Sequence, residues 1–254
     1  AALRGWPTML LEQNALPGIT NRLLAHVVRA AAVNFEAALS FFPNTGFVAG
    51  NPVRPEFFPA QDEEANDRFD STSIPGAGRV LVFGGSQGAH AINVAMVEAA
   101  PRLASATARL AITHQTGERD LEMVRDGYRR AGLEARVEPF LYTMDREMTS
   151  ADIVVSRAGA TTLAELTAAG RPSILVPLPT ATDDHQRKNA EALVRQGAAS
   201  MVEQRELTGE RLAAEIVALA GNTERRHAMG EAARRLARPD AAQVIVDRML
   251  AIAR

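Results

Sequence analysis

From Arg79 onward the chain alternates strand-sized apolar or β-branched runs with helix-sized amphipathic runs, and it does so six times. RVLVF (79–83) leads into AHAINVAMVEAAPRL (89–103), RLAIT (109–113) into ERDLEMVRDGYRRAG (118–132), and RVEPF (136–140) into MDREMTSA (144–151). DIVVS (152–156) leads into TTLAELTAAG (161–170), SILVPL (173–178) into DHQRKNAEALVRQG (184–197), and AASMV (198–202) into TGERLAAEIVALAG (208–221). Parallel strands need a long crossover, usually helical, so this repetition predicts an α/β fold with a parallel sheet and helices on its faces. Gly132, Gly170 and Gly197 stand where helices end on a left-handed residue, which supports the boundaries.

The region before Arg79 is different. Residues 1–51 hold three short apolar runs (TMLL, AAVNF, GFVAG) and two helices, too little to close a doubly wound sheet alone. PAQDEEANDRFDSTSIPGAG (59–78) is acidic and flexible and reads as a linker. The expected division is therefore 1–53 as an incomplete first domain, 54–78 as linker and 79–239 as the main domain. The last helix, 240–254, follows Pro239, presents Val244, Ile245, Met249 and Leu250 on one face, and is expected to pack back on the first domain.

With a formal net charge of -2 and both signs spread along the chain, there is no basic footprint for nucleic acid. The chain has no cysteine, which excludes disulfides and thiolate metal sites and fits a reducing compartment. No stretch approaches the roughly 18–20 apolar residues that cross a bilayer, so any membrane contact is expected to be peripheral. There is no Gly-x-Ser-x-Gly elbow, and no Asp-x-Asp pair to hold a divalent ion on a diphosphate.

Four stretches carry chemistry. In VLVFGGSQGAH (80–90) the glycines let a backbone approach a phosphate, Ser86 offers a hydroxyl, and a helix N-terminus follows. It lacks the Gly-Lys-Ser/Thr of a P-loop, and Ser86 replaces the second glycine of a dinucleotide fingerprint. On its own it reads either as an anion cradle or as a turn whose glycines make room. SRAGATTLAELTAAGRP (156–172) is a second glycine-marked strand-to-helix step, and both steps would open on the crevice at the carboxyl ends of the sheet. Glu165 there is either a helix N-terminal charge or a bidentate acceptor for two ribose hydroxyls. In PLPTATDDHQRKNAEAL (177–193), Asp183, Asp184 and His185 suggest either a metal or carboxylate caps, and Gln186 and Asn189 are placed to offer amides to sugar hydroxyls. EQNALPGITNR (12–22) and GNPVRPEF (50–57) contribute Asn14 after a short strand and Arg54 between two prolines, a phosphate-facing or simply solvated cation. His26, His114 and His227 receive no role.

Taken in order, EQNALPGITNR, GNPVRPEF, GGSQGAHAIN, SRAGATTLAEL and DDHQRKNAEAL resemble the MurG family of glycosyltransferases across nearly the whole chain. The resemblance implies the GT-B architecture, two Rossmann-like domains with parallel sheets, here with the N-terminal one incomplete. It implies transfer of N-acetylglucosamine from UDP-GlcNAc to undecaprenyl-pyrophosphoryl-MurNAc-pentapeptide (lipid I), with inversion and no cofactor or metal, at the cytoplasmic face of the plasma membrane. Ser86 and the GGSQG amides would hold the diphosphate, Arg54 would help neutralise it, and the backbone at Leu141 would face uracil. Glu165 would hold the ribose hydroxyls, and Ala160, Thr161 and Thr162 would supply amides near the α-phosphate. Gln186 and His185 would read the sugar hydroxyls, with Asn14 facing the sugar from the first domain. His185 departs from members that have Gln there. No GGTGGH-type loop, which carries the family's candidate base, is found, so the catalytic residue is unassigned and donor binding with little transfer is expected. The alternatives are another GT-B UDP-sugar transferase, a UDP-GlcNAc 2-epimerase, or a non-catalytic nucleotide-binding module.

Overall fold

The computed structural model describes residues 1, 4–59 and 78–253. Most of the segment expected to be linker (60–77) lies outside the described residues. The part that is described is packed: Pro55–Phe57 forms a single 3₁₀ turn whose Phe57 is buried against Leu81, Phe83 and Leu141. An aromatic ring with an apolar wall in reach stays out of water, so the chain is tethered to the main sheet at Phe57.

Residues 1–59 form a parallel three-stranded sheet, β1 (Met9–Glu12), β2 (Ala30–Val33) and β3 (Gly46–Val48), in the order β1-β2-β3. The connections are a short helix, α1 (Ile19–Leu24), and a 3₁₀ segment, Glu36–Phe41. One face buries Leu10, Ala31 and Val33 with Ala38 and Phe42. The other face buries Ala32 and Ala49 against Ile245.

The main unit begins with β4 (Gly78–Phe83), one residue earlier than the periodicity suggests, because the Gly78 N–H already bonds the Arg109 carbonyl. It continues through α2 (His90–Ala104), β5 (Leu110–Gln115), α3 (Leu121–Ala131), β6 (Ala135–Glu138) and α4 (Met144–Ser150). β7 (Ile153–Ser156), α5 (Ala160–Ala169), β8 (Ser173–Leu175), α6 (His185–Arg195), β9 (Ser200–Met201) and α7 (Gly209–Ala220) follow. The six strands are parallel in the order β6-β5-β4-β7-β8-β9. β6 ends before Pro139, which has no N–H for a ladder.

Side chains of β4 alternate between two cores, as the period of two requires. Val80 and Val82 meet Ile92 and Met96 of α2, Val124 of α3 and Ile216 of α7. Leu81 and Phe83 meet Met148 of α4, Leu163 and Leu166 of α5 and Leu193 of α6. Two further helices follow, α8 (Thr223–Leu236), which the strand–helix alternation does not mark, and α9 (Ala241–Ala253). α9 lies on the small sheet through Ile245 and part of Val244, and Arg248 stacks over Phe47 at 5.6 Å. Met249 and Leu250 do not join them: they are 51% and 58% exposed, since a three-stranded sheet is too narrow to cover the whole apolar stripe.

Ile245 is the main apolar anchor of α9. Ile245→Ala is expected to lower stability by about 2–4 kcal/mol and to make 240–253 an early site of limited proteolysis. Unchanged urea midpoint and cleavage pattern would show that α9 is held otherwise.

Candidate functional site

Strand order determines which loops meet. β5 and β6 lie on one side of β4, and β7, β8 and β9 on the other, so the winding reverses between β4 and β7. In such sheets the crevice at the carboxyl ends opens at the reversal. Phe83 pairs with Ser156, so the glycine loop 84–89 and the 157–159 loop leave neighbouring strands side by side.

The glycine loop is built by close approach. Gly85 and Gly88 have φ of +95° and +72°. A Cβ on Gly88 would stand 1.8 Å from the Thr116 carbonyl oxygen, and one on Gly117 2.3 Å from that of Gln87. The glycines make room for main chain, and they also leave Ser86 exposed with its N–H free of intramolecular bonds among the described residues. Beneath the loop lies a buried polar ladder. Asn93 gives one amide to the Thr116 carbonyl at 2.9 Å and to Asp120 at 2.8 Å, and its oxygen faces His114 Nε2 at 3.0 Å. His114 Nδ1 lies 2.7 Å from the Tyr128 hydroxyl. Burial, opposed only in part by Asp120, lowers the His114 pKa to about 3. The ring is therefore neutral, its Nε2 donating to Asn93 and its Nδ1 accepting from Tyr128. Asp120 also receives His90 Nδ1 at 3.0 Å; burial alone would raise its pKa, but the bonds from Asn93 and His90 hold it low.

The second wall is the start of α5. Gly159 is its N-cap with no side-chain cap, and the first main-chain bond into the helix comes from Leu163. The N–H groups of Ala160, Thr161 and Thr162 therefore have no partner among the described residues, a ready anion site at the positive end of the helix dipole. The approach to it is held rigid from α6: Gln186 Oε1 accepts from Ala158 N–H at 3.3 Å and Leu178 N–H at 3.0 Å, while Asn189 donates to the Ala158 carbonyl at 3.3 Å.

Glu165, in the second turn of α5, is partly buried, and its carboxylate forms no hydrogen bond or ion pair among the described residues. Burial raises its pKa, and the Arg54 charge only partly offsets this. Arg54, exposed, stacks on Phe57 at 5.1 Å from the ring centroid. The docked 3₁₀ turn thus delivers a cation to the neighbourhood of a desolvated, unpartnered carboxylate.

Other residues stand differently from the sequence reading. The Leu141 N–H does not face outward; it donates to Gln115 Oε1 at 2.8 Å, and the Leu141 side chain is buried. Asn189 is fully buried: it accepts from the Ala15 N–H at 2.8 Å and donates to Asn14 Oδ1 at 3.0 Å, so its amide joins the two units. Asn14 is also held by buried Glu12, whose carboxylate accepts from the N–H groups of Asn14 and Gly18 and from Asn21. Asp184 stands at the N-cap of α6, but neither its side chain nor that of Asp183 makes a cap bond to the helix. Both adopt left-handed backbone (φ 52° and 55°), and their carboxylates pair with Arg22 at 3.1 Å and Arg187 at 2.5 Å. Two adjacent left-handed aspartates beside His185 and Gln186 are a local strain of the kind that gathers at ligand-binding loops. His185 opens α6 next to Gln186, whose amide protons take no part in the bonds above. Among the described residues no group of three or more His, Asp or Glu is placed to hold a metal ion. Gln115, at the end of β5, and Glu12 escape the sequence reading; their only signal is a polar residue closing an apolar strand.

Because the folded-state pKa of Glu165 lies above its unfolded value, ionising it costs stability fully above the folded pKa and not at all below the unfolded one. Glu165→Gln is therefore expected to raise the Tm of the unliganded protein at pH 7 and to leave it nearly unchanged near pH 4. Equal shifts at both pH values would contradict a desolvated carboxylate.

A family model, the glycosyltransferase family 28 C-terminal domain, matches residues 79–245. The chain is 50% identical over 242 residues to the UDP-N-acetylglucosamine--N-acetylmuramyl-(pentapeptide) pyrophosphoryl-undecaprenol N-acetylglucosamine transferase of Anaeromyxobacter dehalogenans (strain 2CP-C), covering 95% of this chain and 61% of that protein. It is 48% identical to the protein of the same name from Pelobacter propionicus (strain DSM 2379 / NBRC 103807 / OttBd1), covering 98% and 70%. It superposes on the crystal structure of Acinetobacter baumannii MurG with a TM-score of 0.79 at 33% identity, covering 96% of this chain and 68% of that one. The chain thus spans between 61% and 70% of the length of these relatives. An S. aureus MnaA-UDP co-structure, at 12% identity and a TM-score of 0.66, shares the fold alone.

Proposed function

The chain belongs to glycosyltransferase family 28, and from that premise we propose that it forms the donor-binding part of an enzyme transferring N-acetylglucosamine from UDP-GlcNAc to undecaprenyl-pyrophosphoryl-MurNAc-pentapeptide in peptidoglycan synthesis. The observation that carries the reading is Glu165, a desolvated carboxylate without a partner beside Arg54, on a helix whose first N–H groups are also unpartnered. A diol presents two adjacent donors that satisfy both oxygens of such a carboxylate, and a diphosphate satisfies free N–H groups and a nearby guanidinium.

On this reading Ser86 and the glycine-loop amides hold the diphosphate, the Ala160, Thr161 and Thr162 N–H groups lie by the α-phosphate, and Arg54 offsets its charge. Glu165 takes the ribose hydroxyls and the 140–142 backbone meets the base. Gln186, His185 and Asn14 surround the sugar. In the reaction the C4 hydroxyl oxygen of MurNAc attacks the anomeric carbon of GlcNAc from the face opposite the diphosphate. The new C–O bond forms as the bond to the diphosphate oxygen breaks, UDP leaves with the electron pair, and the hydroxyl proton passes to a general base. None of the residues assembled above is assigned as that base. The helix terminus, loop amides and Arg54 stabilise the charge growing on the departing diphosphate.

A lipid-linked acceptor puts the reaction at a membrane surface, and the reading includes peripheral contact with the cytoplasmic face of the plasma membrane. No described helix is long and apolar enough to cross a membrane. Ile19, Leu23 and Leu24 of α1 are exposed, as are Trp6, Val27 and Arg29 in the flanking segments, a composition suited to an anionic lipid surface.

Calorimetry with UDP tests the donor site. Glu165→Ala is expected to weaken binding about 10–100-fold, the worth of hydrogen bonds to a charged group, and Ser86→Ala by less, about 2–10-fold. A parent that does not bind UDP, or variants that bind as the parent does, would remove the reading. Transfer to lipid I, rather than to another acceptor or none, separates it from epimerase and non-catalytic alternatives.

A further inference from the structure

Gln115 ends β5 and is 2% exposed. Its two amide atoms reach in opposite directions along the carboxyl edge of the sheet. Nε2 donates to the Gly85 carbonyl at 2.9 Å, and Oε1 accepts from the Leu141 N–H at 2.8 Å. Since β5 lies between β4 and β6, this one side chain spans from the loop after β4 to the loop after β6.

A peptide unit is planar, and in the trans form its C=O and N–H point in opposite directions. No peptide bond of the described residues is cis. The Gly85 carbonyl shares its plane with the Ser86 N–H; it accepts from Gln115 Nε2 and, across the turn, from the Gly88 N–H at 3.0 Å, and the two bonds together turn the Ser86 N–H outward. The Leu141 N–H shares its plane with the Phe140 carbonyl, so drawing that N–H inward turns the Phe140 oxygen outward. Neither outward group has an intramolecular partner among the described residues.

Resting on the donor-site reading above, we infer that Gln115 is a positioning residue: it sets two peptide planes at once, aiming the Ser86 N–H at the diphosphate and the Phe140 carbonyl at the nucleobase. A carbonyl acceptor there matches the imide N–H of uracil and opposes the bare ring nitrogen of cytosine. Gln115 therefore couples phosphate affinity to base choice without touching the ligand. Gly88 against Thr116 fixes the height of the loop, and Gln115, together with the Gly88 N–H on the same oxygen, fixes the rotation of its peptide.

Two variants separate the planes. Gln115→Met is nearly isosteric and makes neither bond. It is expected to weaken UDP binding about 10-fold or more, the loss of two buried hydrogen bonds, and to narrow the preference for UDP over CDP. Gln115→Glu keeps an acceptor for Leu141 but repels the Gly85 oxygen, so it is expected to weaken UDP and CDP alike and to keep their ratio. Calorimetry with both nucleotides reads this, with Glu165→Ala as control. If Glu165→Ala loses UDP while a folded Gln115→Met keeps the parent's affinity and its UDP/CDP ratio, the role of Gln115 is overturned and the donor site stands. If the parent binds no UDP, the donor site falls and this inference with it. Amide exchange on the parent decides even if both variants unfold: a protected Leu141 N–H, and a Ser86 N–H that exchanges freely until UDP is added, support the role. A freely exchanging Leu141 N–H overturns it.

Discussion

The site depends on where the winding of the main sheet reverses. The chain leaves β4 to build outward through β5 and β6, then returns past β4 to lay β7 on its other side. The two connections part in opposite directions at the strand ends. The Phe83–Ser156 pair sits at that point, so the glycine loop and the start of α5 emerge as neighbours although about seventy residues separate them in sequence. Free N–H groups from both elements open on one place because of this single topological fact.

Holding those groups outward requires inward support, and here it is polar. The Tyr128–His114–Asn93–Asp120 ladder lies under the glycine loop, and every link has a partner. A buried polar chain of this kind is worth having only when it is complete, since one missing member leaves a desolvated group behind. The neutral His114 shows the same logic: a charged imidazole would need an acceptor at both nitrogens, and the Tyr128 hydroxyl serves as the donor instead.

Much of this was legible in the sequence. The change between a period of two and one of 3.6 gives the strands and helices of the main unit, and Gly132 and Gly170 cap α3 and α5 in left-handed backbone as their positions suggest. What was illegible depends on lateral neighbours. Gln115 matters because β5 lies between β4 and β6, and nothing local to HQTG encodes that order. Asn189 looks like a sugar-facing amide on a helical wheel, yet the first unit covers it. Asp183 and Asp184 resemble caps by position, but left-handed backbone turns them toward Arg22 and Arg187. Phe57 lies in a stretch whose prolines suggest only a connector, and its burial follows from an apolar wall formed by strands further along.

The reciprocal contact between Gly88 and Thr116 and between Gly117 and Gln87 has a consequence for anyone wishing to recut this site. Each glycine is opposed by the main chain of the other loop, so there is no side chain to trim in compensation for an added one. The two loops constitute one rigid part and will accept or refuse change together. Diversification has room instead on the far side of Leu141, where Phe140 and Tyr142 stand 42% and 91% exposed in an edge-to-face pair. There the side chains can be exchanged while the backbone that carries them stays where β5 holds it.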